Sequence, residues 1–134
     1  MKQEVASFLD YVAHSPTVFQ ATQQACDMLD AAGFTRLSEH EAWEILPGGR
    51  YYVTRNRSSV IAFTVPQRGF APFQLIASHT DSPTFRIKEN AELTVRDKYV
   101  QLDVERYGGM ILNTWLDRPL SVAGRLAVRT QDGV

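Results

Sequence analysis

The sequence predicts an α/β or α+β layered domain, and three observations carry that expectation. Residues 3 to 32 repeat apolar positions every three to four residues, as amphipathic helices do. From Phe34 onward the pattern changes to short β-branched and aromatic runs broken by Gly, Pro and Asn, as strands and turns do. The chain has 134 residues, 44% hydrophobic and 22% charged, the length and balance of one ordinary domain with its own core. Two helices followed by a sheet bury their apolar faces best as packed layers.

The first helix is expected over residues 3–14, with Val5, Phe8, Leu9 and Val12 on one face. Ser15-Pro16 then reads as a cap followed by proline at the first helical position. The second helix runs from about Pro16 to Ala32, with Val18, Thr22, Ala25, Leu29 and Ala32 on a shared face and Gly33 as its stop. Cys26 falls inside this helix as a packing residue, since no His or Lys stands at a spacing that would activate it. Pro47-Gly48-Gly49 is a turn. Tyr51–Thr54 and Val60–Val65 flank Arg55–Ser59 as a hairpin. Residues 73–78 read as a buried third strand, and Leu93–Val95 with Val100–Val104 as a further hairpin. Arg125–Thr130 alternates like a half-exposed strand, and Asp132-Gly133 is a strong hairpin signal. A strand whose return partner is absent leaves backbone groups unpaired. The expectation is therefore a piece of something longer, or a chain that docks on another.

Several function classes are disfavoured at this level. The net charge of −1 offers no basic face for nucleic acid. No apolar stretch approaches the roughly 20 residues that span a bilayer. Cys26 is the only cysteine, so no internal disulfide forms. Together with an N-terminal stretch that lacks a signal-peptide apolar run, this places the chain in a reducing cytoplasm.

The chemistry concentrates at His79-Thr80-Asp81, where the apolar run Leu75-Ile76-Ala77 ends. In extended backbone, residues i and i+2 share a face. His79 is then a candidate metal ligand, with one ring nitrogen on the metal and the other donating to Asp81. The competing reading is a turn before Pro83 that happens to hold polar residues. A Ser82–His79–Asp81 triad is disfavoured, because residues so close in sequence rarely converge as nucleophile, base and orienter. A catalytic zinc takes about three protein ligands. His14 and His40 have no matching partners, and Asp103 with Glu105 reads better as a solvated or salt-bridged strand face. From its own residues the chain does not complete a catalytic metal site.

Five stretches, taken in order and spacing, resemble the M18 metallopeptidases, the aspartyl aminopeptidases. They are SPTVF at 15–19, YVTRNRSSVIAF at 52–63, ASHTDSPTFRIK at 77–88, DVERYGG at 103–109 and TWLDRPLSVAGRL at 114–126. Each alone is weak, and together they are specific. The resemblance runs from Ser15 to Leu126 and covers roughly the first third of a family member. Pro119 departs from the acidic residue many relatives carry there.

The resemblance implies that His79 is a metal ligand and that Asp81 is the catalytic-site carboxylate that orients it. It implies a zinc-peptidase-like three-layer α/β domain with a mixed sheet over residues 1–106. Residues 107–134 would begin an inserted β-rich dimerisation domain. Gly108 and Gly109 would permit an unusual backbone path, Trp115 would pack, and Asp117 with Arg118 would form an ion pair. The implied enzyme removes N-terminal, preferably acidic, residues from peptides by a water activated between two Zn2+ ions, with Co2+ or Mn2+ as substitutes. The other ligands and the general base would lie in segments outside this chain. The implied assembly is a large hollow homo-oligomer. Two other classes stand beside this one: a short inactive relative serving as a binding or regulatory subunit, and a structural α/β module.

Overall fold

Among the described residues, two amphipathic helices and five strands form, and local chemistry sets most of their ends. The computed structural model describes residues 2–69 and 72–131. Helix α1 spans Gln3–Ala13 and α2 spans Val18–Ala31. Thr17, not Ser15, caps α2: its side-chain oxygen accepts from the Phe19 N–H at 3.2 Å. Pro16 lies outside the helix, so the expected start is corrected by two residues. The shift follows because Thr17 presents a hydroxyl to an orphan N–H of the first turn, the role that selects a cap.

The C-terminus of α2 follows glycine chemistry. Gly33 has φ +77°. Its N–H bonds the Asp30 carbonyl, and the Phe34 N–H bonds the Leu29 carbonyl, both at 3.0 Å. This pair of bonds is the Schellman arrangement, which needs a left-handed residue just past the helix.

Strands β1 (Thr35–Leu37), β2 (Arg50–Arg55) and β3 (Ser59–Thr64) make a mixed sheet in that order. β1 runs parallel to β2, and β2 runs antiparallel to β3. β2 is the central strand, and Tyr51, Tyr52 and Val53 are buried in succession. Alternation sends Tyr52 to one face and Tyr51 to the other. Tyr52 reaches α2, where its hydroxyl donates to the Asp30 carboxylate at 2.8 Å. On the opposite face, the Tyr51 hydroxyl accepts from the Leu46 N–H at 2.9 Å, and its ring meets Phe63 at 5.6 Å. Trp43 extends this aromatic row against Phe63. The connection 38–46 therefore covers the face that α2 does not. Ala21, Thr22 and Cys26 are the buried positions of α2.

Strands β4 (Thr84–Val95) and β5 (Tyr99–Tyr107) form an antiparallel hairpin. Its turn, Arg96-Asp97-Lys98, holds Arg96 and Asp97 at φ 53° and 51°. The register shifts between Ile87 and Glu92. Within that bulge Lys88 pairs with Asp103 at 3.0 Å, and Ala91 is buried. A single-turn 3-10 segment, Leu112–Trp115, follows. Trp115 meets Phe85 edge-on at 5.5 Å, as a packing residue should. Gly108 takes φ +77° beside Pro83, an unusual path that glycine accommodates at low cost. Arg118 donates to the Thr114 carbonyl, and among the described residues no Asp117–Arg118 ion pair forms. That expectation is corrected: Asp117 sits at φ 55° in a tight bend, where the neighbouring guanidinium finds a backbone acceptor instead. The chain divides into two units, Met1–Asp81 with Ala123–Val134, and Ser82–Val122.

Two further expectations are corrected, and a third, the shared apolar face of α1, forms but is left exposed. Residues 73–78 form no strand, and Phe73, Leu75 and Ile76 are 90%, 89% and 98% exposed. Such a run pairs stably only when neighbours and covering layers enclose it. Residues 125–129 are irregular and exposed, with a single bridge at Thr130. Alternation alone does not make a strand without an edge to join. Asp132-Gly133 lies outside the described residues. Finally, the apolar face of α1 is turned outward: Val5, Phe8, Leu9 and Val12 are 46% to 63% exposed. Tyr11 instead ties α1 to α2 through a hydroxyl bond to the Ala21 carbonyl at 3.1 Å.

Candidate metal centre

His79 and Asp81 are brought together in the segment between β3 and β4. Thr80 anchors this segment: its hydroxyl donates to the Ser58 carbonyl at 2.8 Å, in the turn of the β2–β3 hairpin. With Thr80 turned to the hairpin, its two flanking side chains turn the other way. Sequence reasoning passed over Thr80, and its only signal was its place between two polar residues.

His79 Nδ1 lies 2.7 Å from the Asp81 carbonyl oxygen and 3.1 Å from Asp81 Oδ1. A carbonyl and a carboxylate only accept, so Nδ1 carries the proton and Nε2 presents a lone pair. The tautomer is thus set by two acceptors of one residue, the arrangement that orients a metal-binding imidazole. The His79 side chain is 79% exposed and that of Asp81 41%, so Nε2 is open to an incoming group.

The other candidates are placed apart from this pair. His14 ends α1, with Nδ1 2.9 Å from the Asp10 carbonyl. His40 lies in the loop after β1, and its backbone N–H donates to Ser38 Oγ at 3.3 Å. Asp103 is held by Lys88, and Glu105 stands exposed on β5. Among the described residues, no group of three or more His, Cys, Asp or Glu side chains converges as a metal site. One oriented imidazole fits a zinc ligand, and by itself it meets one of the roughly three a catalytic zinc needs. A depression of about 660 Å³ lies at the β1–β2 end around Arg36, Glu39, His40 and Arg55, and does not include His79. An open groove without converging ligands has nothing to activate a substrate.

Cys26 is buried, and desolvation pushes its thiol above the ordinary value, more strongly than the nearby Arg36 charge lowers it. Burial and the raised pKa both disfavour the thiolate. No helix among the described residues is long and apolar enough to cross a membrane.

Comparison with known proteins gives the same direction. The family model described as aminopeptidase I zinc metalloprotease (M18) matches residues 11–134. The aspartyl aminopeptidase of Aspergillus oryzae is 44% identical over 137 residues, covering 99% of this chain and 27% of that protein. A cryo-EM structure of an Ape4 and Nbr1 complex superimposes with TM-score 0.90 at 44% identity, over 96% of this chain and 25% of that one. The mApe1 dodecamer of Saccharomyces cerevisiae gives TM-score 0.72 at 26% identity, over 87% of this chain and 28% of that one. The chain spans between 27% and 31% of the length of the first curated relatives it matches. On the match across residues 11–134, the chain belongs to the M18 family of zinc metallopeptidases.

Proposed function

We propose that this chain is the N-terminal part of a metal-dependent aminopeptidase acting on peptides with a free, preferably acidic, N-terminal residue. The observation that carries the proposal is the His79–Asp81 pair, with Nδ1 held by Asp81 and Nε2 directed outward. Membership of a family described as zinc metalloproteases supports zinc as the metal, with two ions per site and Co2+ or Mn2+ as substitutes. The acidic preference is supported by the aspartyl aminopeptidase among the relatives.

In this reading His79 holds the metal and Asp81 positions His79. Asp81 fixes the tautomer, keeps the ring from rotating and raises the basicity of the outward nitrogen. Thr80 keeps both in place by its bond to Ser58. When bound, divalent zinc supplies Lewis-acid polarisation of a scissile carbonyl and acidification of a water. The remaining ligands and the proton-shuttling carboxylate are contributed by segments outside this chain. Residues 1–106 belong to a three-layer catalytic domain, and residues 107–134 open an inserted β-rich dimerisation domain. The working form is a cytoplasmic homo-oligomer, supported by the dodecamer among the structural neighbours.

The test is His79→Ala in the complete protein. Bound zinc and peptidase activity are expected to fall together. Asp81→Asn, which keeps the backbone acceptor and removes the carboxylate charge, should weaken metal affinity about 10–100-fold. Full zinc content with full activity in His79→Ala would refute the assignment.

A further inference from the structure

Residues 125–129 are irregular, yet Arg125 ties them to two distant elements of the same compact unit. Its Nη1 donates to the Asn56 carbonyl at 3.0 Å, across 69 residues of sequence. Its guanidinium carbon stands 4.0 Å from the centroid of the Phe19 ring, in the first turn of α2. A cation over an aromatic face is attracted by the ring quadrupole, and a charged donor strengthens the bond to the carbonyl. One side chain therefore couples α2 to the turn of the β2–β3 hairpin.

The same turn holds the segment that carries His79. It runs through Asn56, Arg57 and Ser58, between the paired residues Arg55 and Ser59. Asn56 and Arg57 take φ 52° and 56°, left-handed values that L side chains adopt at a cost. The Ser58 N–H closes the turn on the Arg55 carbonyl at 3.0 Å. The Ser58 carbonyl then accepts from the Thr80 hydroxyl at 2.8 Å. Thr80 stands between His79 and the Asp81 acceptors that orient its ring. Asn56 and Ser58 are two residues apart in a tight turn, so a shift of one carbonyl moves the other. We propose that Arg125 is a positioning residue for His79: it fixes the hairpin turn at Asn56, and the turn fixes the imidazole through Ser58 and Thr80. The proposal rests on the reading of His79 as a zinc ligand.

The turn's other contacts do not replace this one. The Ser58 and Ser59 hydroxyls reach the Arg55 carbonyl only at 3.4 and 3.5 Å, the weak end of hydrogen bonding. Arg55 pairs with Glu39 at 2.6 Å, which braces the end of β2 through a side chain and leaves the carbonyls of Asn56 and Ser58 untouched. Arg125 holds the first of these and Thr80 the second. Loss of Arg125 leaves His79 and its acceptors in the chain, so zinc affinity falls without vanishing.

The test measures the zinc affinity of the complete protein, stripped of metal, by competition with a chromophoric chelator. Arg125→Met keeps the stem of an exposed side chain and removes its charge and donors. It is expected to weaken zinc binding about tenfold, the low end of the range for residues that support a ligand. Arg125→Lys keeps a positive donor and should recover most of that loss. Thr80→Val removes the hydroxyl that links the turn to His79. If Arg125 acts through that link, adding Arg125→Met to Thr80→Val should weaken binding no further, whereas independent effects would add. Unchanged affinity in Arg125→Met, no recovery by lysine, or additive losses in the double variant would each overturn the proposal. In those cases loss of zinc in His79→Ala would leave His79 standing as a ligand. Full zinc affinity in His79→Ala would overturn the reading of His79 and this proposal with it.

Discussion

Tyr52→Phe isolates one bond between the helical layer and the sheet. Tyr52 is 1% exposed, and its hydroxyl donates to Asp30 Oδ1 at 2.8 Å. A hydrogen bond to a charged group contributes about 1.5–3 kcal/mol. Asp30 itself is exposed and rehydrates when the hydroxyl is removed. That places the expected loss near the lower end, about 1–2 kcal/mol at neutral pH. The pH dependence is independent of this figure. Burial, then the bond to Asp30, pushes the Tyr52 hydroxyl from 10.0 up to about 12. The folded chain therefore resists ionisation. Its advantage is complete below the unfolded value of 10.0 and is lost as pH rises through about 12. Two pH units correspond to about 3 kcal/mol, more than the bond contributes at neutral pH. The stability difference between the native chain and Tyr52→Phe should thus shrink above about pH 10 and reverse between roughly pH 11 and 12. Urea unfolding followed by far-UV circular dichroism, repeated across that range for both proteins, measures it. Equal stability at pH 7, or parallel profiles up to pH 12, would refute the reasoning.

Other outcomes follow from single contacts. Gly33→Ala places a Cβ at φ +77° in the cap of α2 and should cost about 1–2 kcal/mol in urea unfolding, although nothing crowds the position. Gly49→Ala should cost about 1–3 kcal/mol, because the added Cβ runs into the Tyr51 ring, itself packed on Phe63; an unchanged midpoint would mean that the ring swings aside freely. Cys26 should react with a thiol reagent at pH 8 more slowly than free cysteine, because burial raises its pKa, and at the free rate once urea unfolds the chain.

Much of the fold was legible in residue order because local rules decide it. The 3.6-residue periodicity located both helices, Gly33 ended the second, and the Arg55–Ser59 turn joined β2 to β3. The spacing of His79 and Asp81 suggested a pair on the premise of extended backbone, whereas the structure brings them together across a bend at Thr80. The sequence could not say which acceptor His79 would meet. The backbone carbonyl of Asp81 is nearer to Nδ1 than its carboxylate is, and both follow from the bend that Thr80 makes toward Ser58. Tertiary structure also decided what periodicity could not. The apolar pattern of residues 73–78 specifies a wish for burial, but pairing depends on a neighbouring edge and covering layers, which are non-local. The same holds for the outward face of α1. Thr22 counted only as one more residue on a helical stripe until packing buried it to 2% exposure. Element type came from the sequence because hydrogen bonding and sterics within a few residues set it. Which polar groups share a pocket came only from the fold, because distant segments must first be brought into contact.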